Sequence, residues 1–265
     1  MDFLKVVDKI FLITGVSNKK SVAFHTARTL KNNGAKLIFT VQSNEHVKRV
    51  EKLFPDEKVY LLNVEDEEAI RNFGLKLRSD NISLAGMLHS IAFANYSDGI
   101  KPFHETVYKD YVQASQISVF SLIAISNAIK PCLKNDASVV TVSISNTRAT
   151  NYGYMGPLKA ALDSSVAFLA KSFSKDSKVR FNAVCSGPLK TSASAGIPGY
   201  VNNYLYAEKL TLRQEALSTS EVADSICYLL SPRSSGINAT GLLIDAGMSC
   251  NYFDEDIVNT IADNL

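Results

Sequence analysis

The chain has 265 residues, of which 46% are hydrophobic and 20% charged, the composition of a globular protein with enough apolar material for a large core. Its 28 basic and 26 acidic residues leave a net charge of +2, which argues against a dedicated nucleic-acid binder. The four cysteines are far apart and the histidines do not cluster with them, so neither a disulfide framework nor a metal site is expected.

We expect a cytoplasmic protein without a membrane partner. Scattered cysteines are typical of a reducing compartment. The N-terminal residues mix acids and bases among apolar residues, unlike a secretory signal. No apolar run reaches the ~18–20 residues that a membrane span needs.

Short apolar runs alternate with longer segments of helical periodicity. The runs, rich in Val, Ile and Leu, predict strands buried on both faces. In chain order they are Ile10–Thr14, Lys36–Val41, Val59–Leu62, Leu84–His89, Ser138–Ser143, Arg180–Cys185 and Leu242–Asp245. The predicted helices are Val22–Asn33, Glu45–Phe54, Asp66–Arg78, Asp110–Leu133, Leu158–Phe173 and Ser220–Leu230, the last capped by Thr219 or Ser220.

This alternation predicts an α/β fold, a doubly wound parallel sheet of the Rossmann type, as a single domain over residues 1–265. Such sheets bind ligands beyond the carboxyl ends of their strands. Gly15 follows the first strand and permits a tight turn into a helix whose N-terminus could bind a pyrophosphate. The other glycines of G-x-G-x-x-G are absent, so a turn without a ligand remains an alternative.

Gln42 follows the second strand, where NAD-binding sheets often carry an acid and NADP-binding ones an arginine nearby. Gln42 is neutral, which favours NADH over NADPH. Lys48 and Arg49 lie further along and would either bind the extra phosphate of NADPH or form a solvated helix face.

Four motifs together resemble the enoyl-acyl-carrier-protein reductases, a divergent branch of the short-chain dehydrogenases. They are Gly15-x5-Ser21-x-Ala23, His89-Ser90-Ile91-Ala92-Phe93-Ala94, Tyr152-x6-Lys159, and Ser186-Gly187-Pro188-Leu189-Lys190-Thr191. The resemblance extends from about Phe3 to Ala246. It implies an NADH-dependent reduction of a trans-2-enoyl thioester in fatty-acid synthesis, with an acyl-carrier protein as the substrate carrier and a homotetrameric assembly.

The resemblance implies that Tyr152 and Lys159 are catalytic. At ~100° per residue, Tyr152 returns to within ~20° of the Lys159 face, whereas Tyr154 lies ~140° away. Pro157 fits the first turn of a helix, so Tyr152 is expected at or before the helix start. A core tyrosine beside a solvated lysine is the alternative for such a pair.

The resemblance also implies roles for further residues. Cofactor contacts are expected from Gly15, Ser21, Val22, Gln42, Asn63, Val64, Ser90, Ile91, Ala92, Lys159, Pro188, Leu189 and Thr191. Ala94 and Tyr152 would contact the substrate, and residues 192–206 would form a mobile lid over it.

The sequence departs from the family at three places. The family's second tyrosine is missing, Ile144 takes its place, and Ser143 or Ser145 could act instead as a polar helper. An aspartate of the family is replaced by Asn63. Residues 197–204 of the lid carry no basic residue to meet an acidic carrier, although Lys190 and Lys209 flank the segment.

These departures leave two other interpretations open. One is a short-chain reductase of a specialised pathway, acting on another enoyl or carbonyl compound. The other is a nucleotide-binding protein without turnover.

Overall fold

The computed structural model describes residues 2–263. The strands are β1 Ile10–Thr14, β2 Lys36–Val41, β3 Lys58–Leu61, β4 Leu84–His89, β5 Leu133–Ile144, β6 Arg180–Ser186 and β7 Thr240–Ile244. They form one parallel sheet in the order β3-β2-β1-β4-β5-β6-β7. This confirms the predicted doubly wound α/β fold, and all seven predicted strands are present.

Helices cover both faces of the sheet. They are α1 Val22–Asn32, α2 Asn44–Leu53, α3 Glu67–Ser79, α4 Tyr108–Ser115, α5 Ser121–Ile129, α6 Met155–Phe173, α7 Ser192–Ala195, α8 Tyr200–Leu210, α9 Thr219–Leu230 and α10 Glu255–Ala262. One core lies between the sheet and α3, α5 and α6, and the other between the sheet and α1, α2 and α9. The central strands are therefore buried on both faces, which explains their continuous apolar sequences.

Several predicted elements have slightly different bounds in the structure, and two differ the most. The strand expected at Ser138–Ser143 begins at Leu133, because a polar segment with exposed side chains extends β5 beyond its buried part. The single helix expected at Asp110–Leu133 consists of α4 and α5, joined by a wide helical turn at Gln116–Phe120.

The predicted cap of α9 is wrong. The Ser218 hydroxyl, not that of Thr219 or Ser220, accepts the Glu221 amide at 3.3 Å, and the Glu221 carboxylate accepts the Ser218 amide at 2.8 Å. This reciprocal arrangement requires a serine or threonine three residues before the glutamate. Ser218 has that spacing, whereas Thr219 and Ser220 lie inside the first turn.

The helical stretch Tyr108–Cys132 is long and apolar enough to cross a membrane by length and composition alone. Half of its most apolar 18-residue window is buried. Leu122, Ile125 and Ile129 pack in the core beneath the sheet. This burial identifies the stretch as a core helix.

Candidate active site

The order of the strands places a cleft at the carboxyl edge of the sheet. β1 and β4 are neighbours, and the segments that follow them diverge, because α1 packs on one face of the sheet and α5 on the other. The Thr14 hydroxyl joins the two strand ends: it donates to the Leu88 carbonyl and accepts from the Ser90 amide, both at 3.1 Å. The cleft that opens beyond them has a volume of about 690 Å³, a size typical of small-molecule sites.

All but one of the predicted site residues line this cleft. They are Gly15, Ser21, Val22, Gln42, Val64, Ser90, Ile91, Ala92, Ala94, Tyr152, Lys159, Pro188, Leu189 and Thr191. Asn63 is the exception. Its side chain is exposed, and its amide oxygen accepts the Glu65 N–H at 3.1 Å instead of facing the cleft. The neighbouring Leu62 and Val64 form that part of the wall.

The turn after β1 brings the main chain unusually close to the end of β4. Gly15 has φ +82°, and a Cβ built on it would lie 1.9 Å from the Ser90 carbonyl oxygen. α1 then begins beside the cleft, with Ser21 as its N-cap accepting the Phe24 amide at 3.2 Å. A helix N-terminus beside a glycine turn fits a pyrophosphate, because its free N–H groups and dipole favour an anion.

Gly15→Ala is expected to destabilise the protein by about 2–4 kcal/mol, since the methyl group meets main chain and the left-handed φ is strained. Gly99→Ala is the matched control, because Gly99 has φ +80° but nothing within 4 Å of a Cβ. Chemical denaturation measures both. If both variants lost the same stability, the close approach of Gly15 to the Ser90 carbonyl would not be the cause of the loss.

The end of β2 presents neutral and paired groups. Gln42 and His46 line the cleft, and His46 Nδ1 lies 2.7 Å from the Ser43 hydroxyl. The Arg49 guanidinium is bound to Glu45 and donates to the Ser17 carbonyl at 3.0 Å. Arg49 thus connects α2 to the turn after β1 rather than forming only a solvated helix face.

Tyr152 lies before α6, in a short turn over Thr150–Tyr152, as the position of Pro157 predicted. The Tyr96 hydroxyl donates to the Tyr152 carbonyl at 3.0 Å and holds this turn. Burial, with a smaller contribution from Tyr200, raises the pKa of Tyr152 to about 12. Tyr152 is therefore a neutral phenol that can donate a hydrogen bond into the cleft.

Tyr154 has a different environment. Its ring is buried in the core, and its hydroxyl donates to the Asn95 carbonyl at 3.0 Å. Of these two tyrosines, only Tyr152 lines the cleft. The helical angle also favoured Tyr152, but Tyr152 lies before α6, so the turn over Thr150–Tyr152 and not the helix sets its direction.

Lys159 is 5% exposed and donates to the Val142 carbonyl at 2.7 Å. Burial lowers the pKa of its ammonium group to about 8, although the carboxyl group of Asp163, one helical turn further, opposes this shift. Lys159 thus remains a cation at neutral pH, close to the point where its charge is lost.

His89 is a packing residue. Its ring nitrogens lie 2.9 Å from the Thr141 hydroxyl and 2.8 Å from the Ser121 hydroxyl. Because the Ser121 hydroxyl donates to Ile117 O, the proton belongs on Nε2 of His89. Burial and then the charge of Lys159 lower the pKa of His89 to about 3, so its ring stays neutral.

Ile144 lines the cleft at the place assigned to the family's second tyrosine. Ser143 and Ser145 flank it and line the cleft as well. The Ser143 hydroxyl is buried beside the Asp163 carboxyl group, and its hydrogen bond opposes the rise that burial causes in the pKa of Asp163. A role for Ser143 or Ser145 as a polar helper stays a prediction.

The expected lid is helical. Residues 192–206 comprise α7 and most of α8, which continues to Leu210. The side-chain amide of Asn18 donates to Ser192 at 2.6 Å and connects the lid to the turn after β1. Its mobility stays a prediction. Two residues that the sequence analysis did not single out, Tyr96 and Tyr200, line the same cleft.

Known enzymes resemble this chain in sequence and fold over most of its length. A family model described as enoyl-(acyl carrier protein) reductase matches residues 15–249. An NADPH-dependent enoyl-[acyl-carrier-protein] reductase from Staphylococcus aureus is 31% identical over 251 residues, covering 92% of this chain and 98% of the relative. An NADH-dependent one from Nostoc is 32% identical over 252 residues, covering 92% and 97%.

The NADH-dependent reductase from Aquifex aeolicus has a crystal structure that superposes with a TM-score of 0.87 at 30% identity, covering 92% of this chain and 97% of that one. Sequence and structure therefore match over nearly the whole length of these relatives. The chain belongs to the enoyl-acyl-carrier-protein reductase family.

Proposed function

We propose that the protein reduces the double bond of a trans-2-enoyl thioester with NADH, using Tyr152 and Lys159. The observation that carries this proposal is that both side chains face one cleft, beside a glycine turn and a helix N-terminus. The donor set fits a dinucleotide: the first turn of α1 suits the pyrophosphate, and the buried ammonium of Lys159 suits the ribose hydroxyls.

When bound, the reduced nicotinamide supplies the hydride to the β-carbon of the enoyl thioester. The residues of this chain stabilise the charge that develops on the thioester oxygen. Tyr152, protonated because its pKa is raised, donates a hydrogen bond to that oxygen. Lys159 would hold the ribose hydroxyls of the cofactor, and its positive charge would favour the electron-rich transition state.

Two features support NADH over NADPH. Gln42, at the end of β2, carries no charge to attract the 2′-phosphate of NADPH. Arg49 is already bound to Glu45. Because relatives of both cofactor types match the chain, the assay must compare the two cofactors directly.

The test is oxidation of NADH and NADPH, followed at the nicotinamide absorbance, with crotonyl and longer 2-enoyl thioesters. Turnover of these thioesters with NADH is the expected result. Oxidation only with a carbonyl compound would instead support a specialised reductase. Tight NADH binding without turnover on any substrate would support a nucleotide-binding protein.

The proposal includes an acyl-carrier protein as carrier and a cytoplasmic location. Lys190 and Lys209 are exposed on either side of the uncharged lid and could meet an acidic carrier. The four cysteines are free thiols, as is typical of reducing compartments. A lower KM for carrier-bound than for coenzyme A-bound substrate is expected.

A homotetramer is also part of the proposal. Apolar side chains are exposed on the adjoining surfaces of α6 and the α4–α5 stretch: Phe168 is 75%, Phe120 44% and Ile123 36% exposed. Exposed apolar surface on neighbouring helices is typical of an interface.

Phe168→Asp is expected to shift the protein to smaller species, because a buried, unpaired carboxylate opposes assembly. Sedimentation velocity measures this change. Leu75→Asp, on the exposed surface of α3, is the control and should leave the mass unchanged. If both variants remained tetramers, the surface around Phe168 would not be part of the subunit interface.

A further inference from the structure

Tyr200, the first residue of α8, makes a paired contact with the main chain after β6. The Leu189 amide donates to the Tyr200 hydroxyl at 2.9 Å, and this hydroxyl lies 3.0 Å from the Leu189 carbonyl oxygen, to which it donates. Both residues line the cleft that contains Tyr152 and Lys159. A side chain of the lid therefore occupies one donor and one acceptor of the binding wall.

The two groups of Leu189 differ in what else they bind. The carbonyl oxygen also accepts from the Ser194 hydroxyl at 2.8 Å and from the Thr191 amide at 3.2 Å. The hydrogen bond to Tyr200 is the one that the structure shows for the Leu189 amide among residues 2–263. If Tyr200 moved away, the carbonyl would keep partners, but the amide would need a new acceptor.

A primary carboxamide offers the same pair of groups as the tyrosine hydroxyl, because its oxygen accepts and its NH₂ donates. The nicotinamide ring carries such a carboxamide as its hydrogen-bonding group. Lys159 bonds to the Val142 carbonyl of β5, and Leu189 follows β6, the strand paired with this part of β5. A ring whose ribose is held at Lys159 and whose reacting carbon is near Tyr152 would therefore lie beside Leu189, which lines the same cleft. The Leu189 main chain then faces the carboxamide.

We propose that Tyr200 is a positioning residue whose hydroxyl occupies the Leu189 amide and carbonyl in the free enzyme and is displaced by the nicotinamide carboxamide. This inference rests on the proposed function, since it requires a nicotinamide dinucleotide in the cleft. Tyr200 opposes cofactor binding, and its release from Leu189 couples cofactor binding to the position of α8.

The local backbone permits this displacement. Gly199 precedes Tyr200 with φ +72° and has no atom within 4 Å of its Cβ position. A glycine leaves the backbone torsions at this point less restricted than any other residue would, so a change of backbone direction at the start of α8 is least costly here. The lid would thus change position when the cofactor replaces the hydroxyl.

The test compares binding of NADH and of ADP-ribose, which lacks the nicotinamide, by isothermal titration calorimetry. Tyr200→Phe keeps the ring and removes the hydroxyl. NADH should bind this variant about three- to tenfold more tightly, the effect of one net hydrogen bond that no longer has to be broken. ADP-ribose should bind the variant and the wild type equally.

Tyr204→Phe is the matched control, being the same change on the same helix, and it should leave both affinities unchanged. Unchanged or weaker NADH binding by Tyr200→Phe would overturn the proposal. An equal gain for NADH and ADP-ribose would overturn it too, since the hydroxyl would then act on the whole cleft. A wild-type protein that binds no dinucleotide would instead refute the proposed function.

Discussion

Tyr152→Phe is expected to lower kcat by about 100- to 1000-fold while NADH still binds, because one donor to the developing oxyanion is lost. The phenyl ring preserves the packing of the half-buried side chain, so the fold should not change. Steady-state turnover of a 2-enoyl thioester and calorimetric titration with NADH measure the two effects separately. Because burial raises the pKa of Tyr152 to about 12, this phenol stays protonated near neutral pH, so its ionisation should not change the wild-type rate there.

Tyr154→Phe is the matched control for that variant. It removes a hydroxyl that bonds to the Asn95 carbonyl, so it should cost about 1 kcal/mol of stability and little activity. If Tyr152→Phe turned over at the wild-type rate, Tyr152 would not be the oxyanion donor. A large loss in Tyr154→Phe alone would transfer that role to the other tyrosine.

Lys159→Met is expected to weaken NADH binding by about 10- to 100-fold, the usual effect of losing a charged hydrogen-bond donor. The wild-type affinity should also depend on pH. Lys159 is a cation below its pKa of about 8 and neutral above it, so affinity should fall as pH rises through that value. Calorimetric titrations with NADH at pH values one unit below and one unit above the pKa of Lys159 measure this change in affinity.

Lys159→Met should also raise the stability of the protein in the absence of ligand. Folding lowers the pKa of Lys159 from 10.5 to about 8, so the unfolded chain binds the proton more tightly than the folded protein does. Burying the charged lysine therefore reduces the free energy of unfolding, and this loss is complete below pH 8. Removing the buried cation should therefore raise the free energy of unfolding near neutral pH by roughly 1–3 kcal/mol.

Lys171→Met is the control, because Lys171 lies on the exposed surface of α6, the helix that carries Lys159. It should change neither the affinity for NADH nor the free energy of unfolding. A wild-type affinity that stayed constant across the pKa would contradict a role for the charge of Lys159. Weaker NADH binding combined with a lower stability would indicate that the lysine acts through the fold.

The sequence predicted most of the secondary structure because parallel strands buried on both faces require continuous apolar runs. Where β5 extends into the polar segment 134–136, that signal is missing, and the predicted start was five residues late. The cap of α9 was misplaced because several hydroxyl residues adjoin one another, and only the reciprocal bonds of Ser218 and Glu221 distinguish them.

The motif residues were identified through the family resemblance, which short sequence segments can carry because a strand end and the following turn are close in sequence. Asn63 shows the limit of this approach. The family resemblance implied a cofactor contact from Asn63, whereas its side chain accepts the Glu65 amide and does not line the cleft. The direction of a side chain in a turn depends on local hydrogen bonds that residue identity does not specify.

The sequence by itself determined the alternating α/β pattern, the glycine turn and the spacing of Tyr152 and Lys159, because periodicity and short-range geometry are properties of the chain. Only the tertiary structure decided that the Tyr96 hydroxyl donates to the Tyr152 carbonyl and that the Tyr200 hydroxyl accepts from the Leu189 amide. It also decided that burial lowers the pKa of Lys159. These features depend on which atoms packing brings together and shields from water, and no local pattern encodes that.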